Sequence, residues 1–210
     1  MFTVTAIPAF NDNYIWMLRD SDSNAVFVVD PGDASPVKAG LKEQGLVLSG
    51  ILITHHHADH TGGVAELTRL FDVPVYGPAT SPYKGITHPL NDNDQCDILG
   101  HTLSIKAVPG HTLDHICYLL NEDDQPQLFC GDTLFLAGCG RLFEGTPAQM
   151  LKAMKAFEQL PDNTEVYCTH EYSLANLKFA QAVEPTNTDI HTTTDNCTQL
   201  RSQNIATVPS

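Results

Sequence analysis

Basic residues are scarce in this chain. Lys and Arg number 11 among 210 residues against 25 Asp and Glu, a formal net charge of −14. A nucleic-acid partner needs a cationic face that neutralises phosphates, and so little positive charge argues against one. Long apolar runs are missing too. None approaches the ~20 residues of a membrane-spanning helix, so no membrane partner is expected. The opening Met1-Phe2-Thr3-Val4-Thr5 has neither the basic nor the apolar block of a signal peptide, which points to the cytoplasm. There is no C-x-x-C pair among the six cysteines. In a chain large enough to bury a core they read as reduced thiols, with Cys117, Cys130 and Cys168 inside predicted strands as small buried apolar residues. Gly138 and Gly140 lack the strand-to-helix setting of a phosphate-binding loop. No internal repeat is evident.

What is present is an ordinary hydrophobic fraction, 42%, enough for one substantial core or a core with a small appendage. The chain also carries a dense cluster of potential metal ligands, Thr54-His55-His56-His57-Ala58-Asp59-His60, directly after the apolar run Gly50-Ile51-Leu52-Ile53. In extended backbone alternate side chains share a face, so His55, His57 and Asp59 are expected on one side and His56 and Ala58 on the other. A turn after Asp59 would bring His60 round. Imidazole and carboxylate together suit zinc, iron or manganese.

Further ligands sit at similar positions downstream. His111 follows the alternating run Leu103–Val108, Asp132 follows Leu128-Phe129-Cys130-Gly131, and His170 follows Val166-Tyr167-Cys168-Thr169. Each alone would more often be a turn or cap residue. Their shared place at the end of an apolar strand favours one common rim. The same periodicity predicts strands at 3–7, 14–18, 25–30, 50–54, 73–76, 103–108, 115–120, 127–131 and 165–169. Helices are predicted from Ser35-Pro36 to about Gln44, from Gly62 to Phe71, from the capping box Thr146-Pro147-Ala148-Gln149, and from about Ser173 to Val183. Many strands interrupted by helices imply an α/β architecture of two sheets with helices outside. After Pro185 the chain turns polar, with too little apolar surface for a domain of its own.

The ligand order His55-x-His57-x-Asp59-His60, His111, Asp132, His170 resembles the metallo-β-lactamase superfamily. Several segments are similar to the hydroxyacylglutathione hydrolase (glyoxalase II) family: Ile7–Trp16 with its Asn-Asp-Asn-Tyr, the Thr-His-His-His-Ala-Asp-His-Thr-Gly-Gly stretch, Pro109–Thr112, Gly131–Phe135, Gly138–Thr146 and Thr169–Tyr172. The resemblance implies an αββα four-layer sandwich over residues 1–170, with 171–210 a partial C-terminal helical segment for substrate binding. By position, His55, His57 and His111 would hold one metal, Asp59, His60 and His170 a second, and Asp132 would bridge them. Asp59 and Asp132 are then the carboxylates at the reacting centre. The implied cofactors are two divalent ions, Zn²⁺ foremost, with Fe or Mn as alternatives.

The implied reaction is hydrolysis of S-D-lactoylglutathione, or a related 2-hydroxyacyl glutathione thioester, by a hydroxide shared between the metals. The products are a 2-hydroxy acid and glutathione, the second step of methylglyoxal detoxification, carried out by a monomer. Arg141, Phe143 and Tyr172 are the expected substrate contacts. His56 is expected to be structural, His115 a hydrogen-bonded core residue, and His88, His101 and His191 to lie on the surface. Asp30 is either a turn residue or a partner to a metal-bound histidine. A single-iron persulfide dioxygenase or a lactonase of the same fold are the rival enzymes. Leu200–Asn204 resembles the start of the family's last helical segment, so a metal-binding remnant with weak activity is the rival from outside enzymology.

Overall fold

The computed structural model describes residues 2–21, 23–121 and 125–210. Strands β1 (Thr3–Ala9), β2 (Asn13–Arg19), β3 (Ala25–Val29), β4 (Val47–Leu52), β5 (Val75–Pro78) and β6 (His88–Leu90) form a six-stranded sheet in chain order. Its first three strands are antiparallel, and β3 to β6 run parallel. A second sheet uses β7 (Gln95–Ile98), β8 (His101–Ala107), β9 (Ile116–Leu120) and β10 (Gln127–Gly131). After a two-stranded ribbon, β11 (Leu134–Phe135) with β12 (Gly138–Cys139), strand β13 (Glu165–Cys168) completes it in the order β13-β10-β9-β8-β7.

Strand alternation builds both cores. Along β2, Tyr14, Trp16 and Leu18 face one way and join Phe27, Val29 and Leu52 against Leu103, Ile105, Tyr118, Leu120 and Phe129 of the second sheet. Ile15 and Met17 face the other way, with Val26, Val28, Ile51 and Ile53, and meet Val37, Leu41, Val64 and Leu67 from helices. A strand buried on both faces must be apolar throughout, which is why β2 shows no polar-apolar alternation. The helices are α1 (Ala34–Gln44), α2 (Ala58–Thr61), α3 (Val64–Phe71), α4 (Pro147–Phe157), α5 (Ser173–Val183) and α6 (Thr188–Ser202). Helices α1 and α3 cover the first sheet, and α4 adds Ala153, Met154 and Phe157 to the cluster that holds the second. The architecture is the expected α/β sandwich. Among the described residues no helix is long and apolar enough to cross a membrane.

Strands β6, β7, β11 and β12 were not predicted, β4 and β5 are shifted from the predicted 50–54 and 73–76, and three helical readings also differ from expectation. The cap of α1 is Asp33, whose side chain accepts the Ser35 N–H at 2.8 Å, two residues before the predicted start. The helix predicted from Gly62 begins at Val64 as α3, and a separate four-residue helix that was not predicted, α2, precedes it across Gly62 and Gly63. Helix α6 has no amphipathic stripe to announce it. It is held by Asn187, which accepts the Asp189 and Ile190 N–H groups, by burial of Cys197, and by a hydrogen bond from Gln181 on α5 to Thr194.

Parallel pairing places the C-terminal ends of β3 and β4 on one rim, and those of β10 and β13 on another. Backbone bonds lock the rims together. The Ile116 N–H donates to Thr54 O at 2.9 Å and the Tyr14 N–H to Thr169 O at 2.7 Å. The last residues fold back onto this frame. Glu171 Oε2 accepts from Tyr14 Oη at 2.8 Å and from the Thr207 N–H at 2.9 Å, with Arg201 3.6 Å away. Removing this acceptor strands donors from β2 and from the tail together. Glu171→Ala is expected to cost about 1–3 kcal/mol in urea unfolding, with Glu171→Gln costing less. A change below about 0.5 kcal/mol, the level of an ordinary surface substitution, would show that the tail is not held this way.

Candidate metal centre

The two rims converge on the seven residues singled out in the sequence. His55, His57 and His111 each offer one nitrogen, all within 4.8 Å of one another, and Asp59, His60 and His170 form a second such group. Asp132 lies between the groups. Its Oδ2 is 3.4 Å from His111 Nε2 and 3.2 Å from His170 Nε2, and its Oδ1 is 3.5 Å from His60 Nε2. Asp59 Oδ2 stands 3.6 Å from His60 Nε2 and 3.5 Å from His170 Nε2. Separations of this size are expected between atoms that share one ion at ~2.0–2.2 Å.

The backbone route to this arrangement differs from the extended reading. Strand β4 ends at Leu52, Thr54 and His55 form a bend, and Asp59 with His60 occupies the first turn of α2. Helical rise puts these two neighbours where a strand would have sent them to opposite faces. The turn fits because Gly32 lies beneath it. A Cβ there would sit 1.8 Å from Asp59 O, so only glycine allows the approach. His56 does point away from the centre, as alternation required.

The rings of His55, His60, His111 and His170 each have a polar partner on the far side. His111 Nδ1 donates to Arg141 O at 2.8 Å, and His170 Nδ1 donates to Asp12 Oδ1 at 2.9 Å. His60 Nδ1 lies 3.0 Å from Asp30 Oδ2. Asp30 also accepts the Thr54 N–H and hydroxyl, at 2.8 and 2.7 Å, and Thr54 Oγ1 meets His55 Nδ1 at 3.1 Å. Asp30, in the left-handed region at φ 53°, is therefore both a turn residue and a partner to a candidate ligand. Such outer partners set the tautomer that aims Nε2 at an ion. The sequence reading missed Asp12, and also Asn13, whose Nδ2 donates to Asp59 Oδ2 at 3.1 Å. Both lie in the Asn-Asp-Asn-Tyr segment that marked the resemblance.

His115 is a core residue, as expected, with a positioning task. The Asp132 N–H donates to its Nε2 at 3.1 Å, which leaves Nδ1 protonated to donate to Ile116 O at 3.0 Å. Its ring stacks on that of His55, 4.6 Å between centroids. Burial pushes its pKa down to about 3. His88 and His191 are exposed as predicted, whereas His101 is half-buried with its ring edge-on to Phe2.

The donor set fits metal ions. Among the described residues His55 Nε2, His60 Nε2 and Asp132 Oδ1 are fully buried without a hydrogen-bond partner. Orphaned polar atoms of this kind are costly unless something binds them. No thiol lies in either group, and imidazole with carboxylate suits zinc, iron or manganese alike. The chain thus carries a site of the dinuclear kind, with His55, His57 and His111 able to hold one ion and Asp59, His60 and His170 another.

Electrostatics separates the two groups. Burial holds His55 well below its ordinary pKa, and burial followed by repulsion from neighbouring imidazoles lowers His57. His111 is also lowered, chiefly by burial. At His60 burial opposes charge, but Asp132 and Asp30 outweigh it and raise the pKa well above 6.5. His170 is raised in the same way by Asp132 and Asp12 against burial. Asp132 stays ionised despite burial because His60 and His170 hold its pKa well below 3.8. A raised pKa lets protons compete with metal at higher pH; a lowered one delays that competition. On acidification from pH 7, the ion at Asp59, His60 and His170 should leave first, and the ion at His55, His57 and His111 later. Metal content after dialysis across pH 7.5 to 5 reads the order, and simultaneous loss would contradict it.

His57, Asp59, His111, Asp132 and His170 floor a cleft of about 430 Å³, also lined by Phe135, Gly140, Arg141, Phe143 and Tyr172. The three residues expected as substrate contacts, Arg141, Phe143 and Tyr172, all line it. Tyr172 stacks on His170, centroids 4.7 Å apart and planes 3° from parallel. The Phe143 ring stands edge-on to His57 and His111 at 5.4 and 5.2 Å, and the Arg141 guanidinium lies 5.1 Å from its centroid.

The family profile described as the metallo-beta-lactamase superfamily matches residues 10–170, and that of the hydroxyacylglutathione hydrolase C-terminus matches 171–210. Curated relatives include the hydroxyacylglutathione hydrolases of Photobacterium profundum, 50% identical, and of Shewanella baltica, 53% identical. Each alignment takes in the whole of this chain and 82% and 81% of the respective relative. Similar solved structures include the B3 metallo-β-lactamase BLEG-1, with TM-score 0.70 and 27% identity over 81% of this chain and 91% of that one. TTHA1623 in a di-iron-bound form has TM-score 0.65 and 25% identity over 80% of this chain and 91% of that one.

Proposed function

The chain belongs to the metallo-β-lactamase superfamily and, within it, to the hydroxyacylglutathione hydrolases, and from that premise we propose that it hydrolyses S-D-lactoylglutathione and related 2-hydroxyacyl glutathione thioesters. One observation carries the reading most. The cleft lined by His57, Asp59, His111, Asp132 and His170 of the centre also presents Arg141, Phe143 and Tyr172, so ligands for the ions and groups for the substrate open to the same space. Its volume is in the range that small-molecule sites occupy.

Divalent ions held by His55, His57, Asp59, His60, His111, Asp132 and His170 would supply Lewis acidity, lowering the pKa of a water towards ~7 and polarising a carbonyl. The protein's own groups do the rest. Asp132 and Asp59 place two carboxylates among the imidazoles, and Asp59, 42% exposed at its side chain, faces the cleft where it can accept a hydrogen bond from the attacking water and orient it. Tyr172 offers a phenol above His170. Arg141 is exposed, and no ion pair engages its guanidinium among the described residues, which leaves it available to a glutathione carboxylate. Phe143, 58% exposed, provides an apolar wall for the thioester arm. The leaving thiolate, with a thiol pKa of about 8.5, needs no general acid.

Zinc is the proposed metal, with iron as the alternative supported by the di-iron form of the TTHA1623 neighbour. A cytosolic setting is supported by six cysteines that are all free thiols, the state a reducing compartment maintains. We assign residues 1–170 to the catalytic unit and 171–210 to a helical segment flanking the cleft through Tyr172.

The test is steady-state hydrolysis of S-D-lactoylglutathione by protein loaded with zinc, and by protein stripped with a chelator. Activity should need the metal. His57→Ala and His170→Ala should each lose at least about 10²-fold in kcat with loss of bound metal, whereas Arg141→Ala should raise KM with kcat nearly unchanged, the signature of lost uniform binding. Full activity in metal-free protein would sink the proposal. A KM unmoved by Arg141→Ala would place the glutathione carboxylates elsewhere.

A further inference from the structure

On the reverse side of the His-His-His run, His56 meets two carboxylates. Its Nδ1 lies 2.9 Å from Asp114 Oδ1 and its Nε2 3.4 Å from Glu144 Oε1. The three are close enough for a cation, but the carboxylates approach opposite nitrogens of one ring. A single ion can use only one of those lone pairs, so the geometry suits a clamp of the imidazole between two carboxylates, hydrogen-bonded on the Asp114 side, better than a metal site. Asp114 is buried at 5% exposure, and the other arm reaches across to a different segment. Glu144 Oε2 accepts the Leu113 N–H at 2.8 Å.

The segment so clamped is the one that carries Arg141 and Phe143. Its backbone is stitched to the segment holding His111: the Phe143 N–H donates to His111 O, and the Gly145 N–H to Gly110 O, both at 3.1 Å. Side chains close the seam at two points, the His111 ring on Arg141 O and Glu144 on the Leu113 N–H, the second directly beside Phe143. Phe143 in turn stands edge-on to His57 and His111.

We infer that Glu144, clamped by His56 and the Leu113 N–H, is a positioning residue that holds Phe143 and Arg141 at the mouth of the metal cleft and so sets affinity for the thioester. Asp114 anchors the far side of the imidazole. The inference rests on the thioesterase reading for its kinetics and on the backbone geometry for its clamp, and the two are tested separately. An edge-on aromatic wall displaced by about 1 Å loses contact with substrate without disturbing the ions, so the effect belongs in KM.

The experiment compares zinc-loaded wild type with Glu144→Ala, Glu144→Gln, Phe143→Ala and the double variant Phe143→Ala/Glu144→Ala. Glu144→Ala should raise KM for S-D-lactoylglutathione about three- to tenfold, with kcat within about twofold and metal content unchanged. Glu144→Gln keeps an oxygen for the Leu113 N–H and should recover most of the loss. If Glu144 acts through Phe143, the double variant should be no worse in KM than Phe143→Ala alone. Amide exchange at Leu113 and Phe143, measured without substrate, should quicken in Glu144→Ala. A fall in kcat with loss of metal, fully additive KM effects, or unchanged amide exchange would each overturn the inference. So would a third zinc equivalent that disappears in Glu144→Gln, which would make the cluster a cation site. Should wild type not hydrolyse the thioester, the function fails, and amide exchange alone still decides the clamp.

Discussion

A buried carboxylate is the constraint around which the centre is arranged. Asp132 is 6% exposed, and an ionised carboxylate in such a place is costly unless opposite charge or hydrogen bonds compensate it. Here His60, His111 and His170 face its two oxygens, and the His115 ring accepts its N–H. One carboxylate thereby dictates where three imidazoles from three different elements must stand. With ions in place the same oxygens lie between both ligand groups, so the centre is a single unit.

Keeping those imidazoles there is the task of the fold. β3, β4, β10 and β13 deliver their ends to adjoining rims, and backbone hydrogen bonds at Thr54 and Thr169 stop the rims from sliding past each other. Behind three of the rings an oxygen stands close: Asp30 for His60, Asp12 for His170, the Arg141 carbonyl for His111. The last of these links the candidate metal centre to the cleft wall, because the carbonyl that meets His111 belongs to Arg141, which lines the cleft. The centre divides electrically as well. Burial keeps one histidine group neutral, while neighbouring carboxylates draw protons to the other.

Much of this was legible in the sequence, for physical reasons that also mark where legibility stops. Strands buried on both faces advertise themselves as apolar runs, so the ends of β4, β10 and β13 could be read, and the ligands with them. His56 could be assigned to the reverse face from alternation alone. The four-residue α2 could not be foreseen. Its placement of Asp59 and His60 depends on the Gly32 turn packed beneath it, a contact between segments distant in the chain. Helix α6 was hidden because its polar, threonine-rich sequence is stabilised by a cap and by packing on α5 rather than by an apolar stripe. Asp12 and Asn13 were visible only as part of a resemblance, since their task of holding His170 and Asp59 exists only once β1 and β2 lie beside β13.

X-ray absorption at the metal edge of the fully zinc-loaded protein probes the shared carboxylate most directly. A metal–metal vector at roughly 3.5–4 Å is expected, as in two-ion sites bridged by oxygen, with nitrogen and oxygen neighbours and no sulfur. In Asp132→Ala that vector should vanish. A single ion per chain, a sulfur neighbour, or a metal–metal vector that survives Asp132→Ala would contradict a centre organised by that carboxylate.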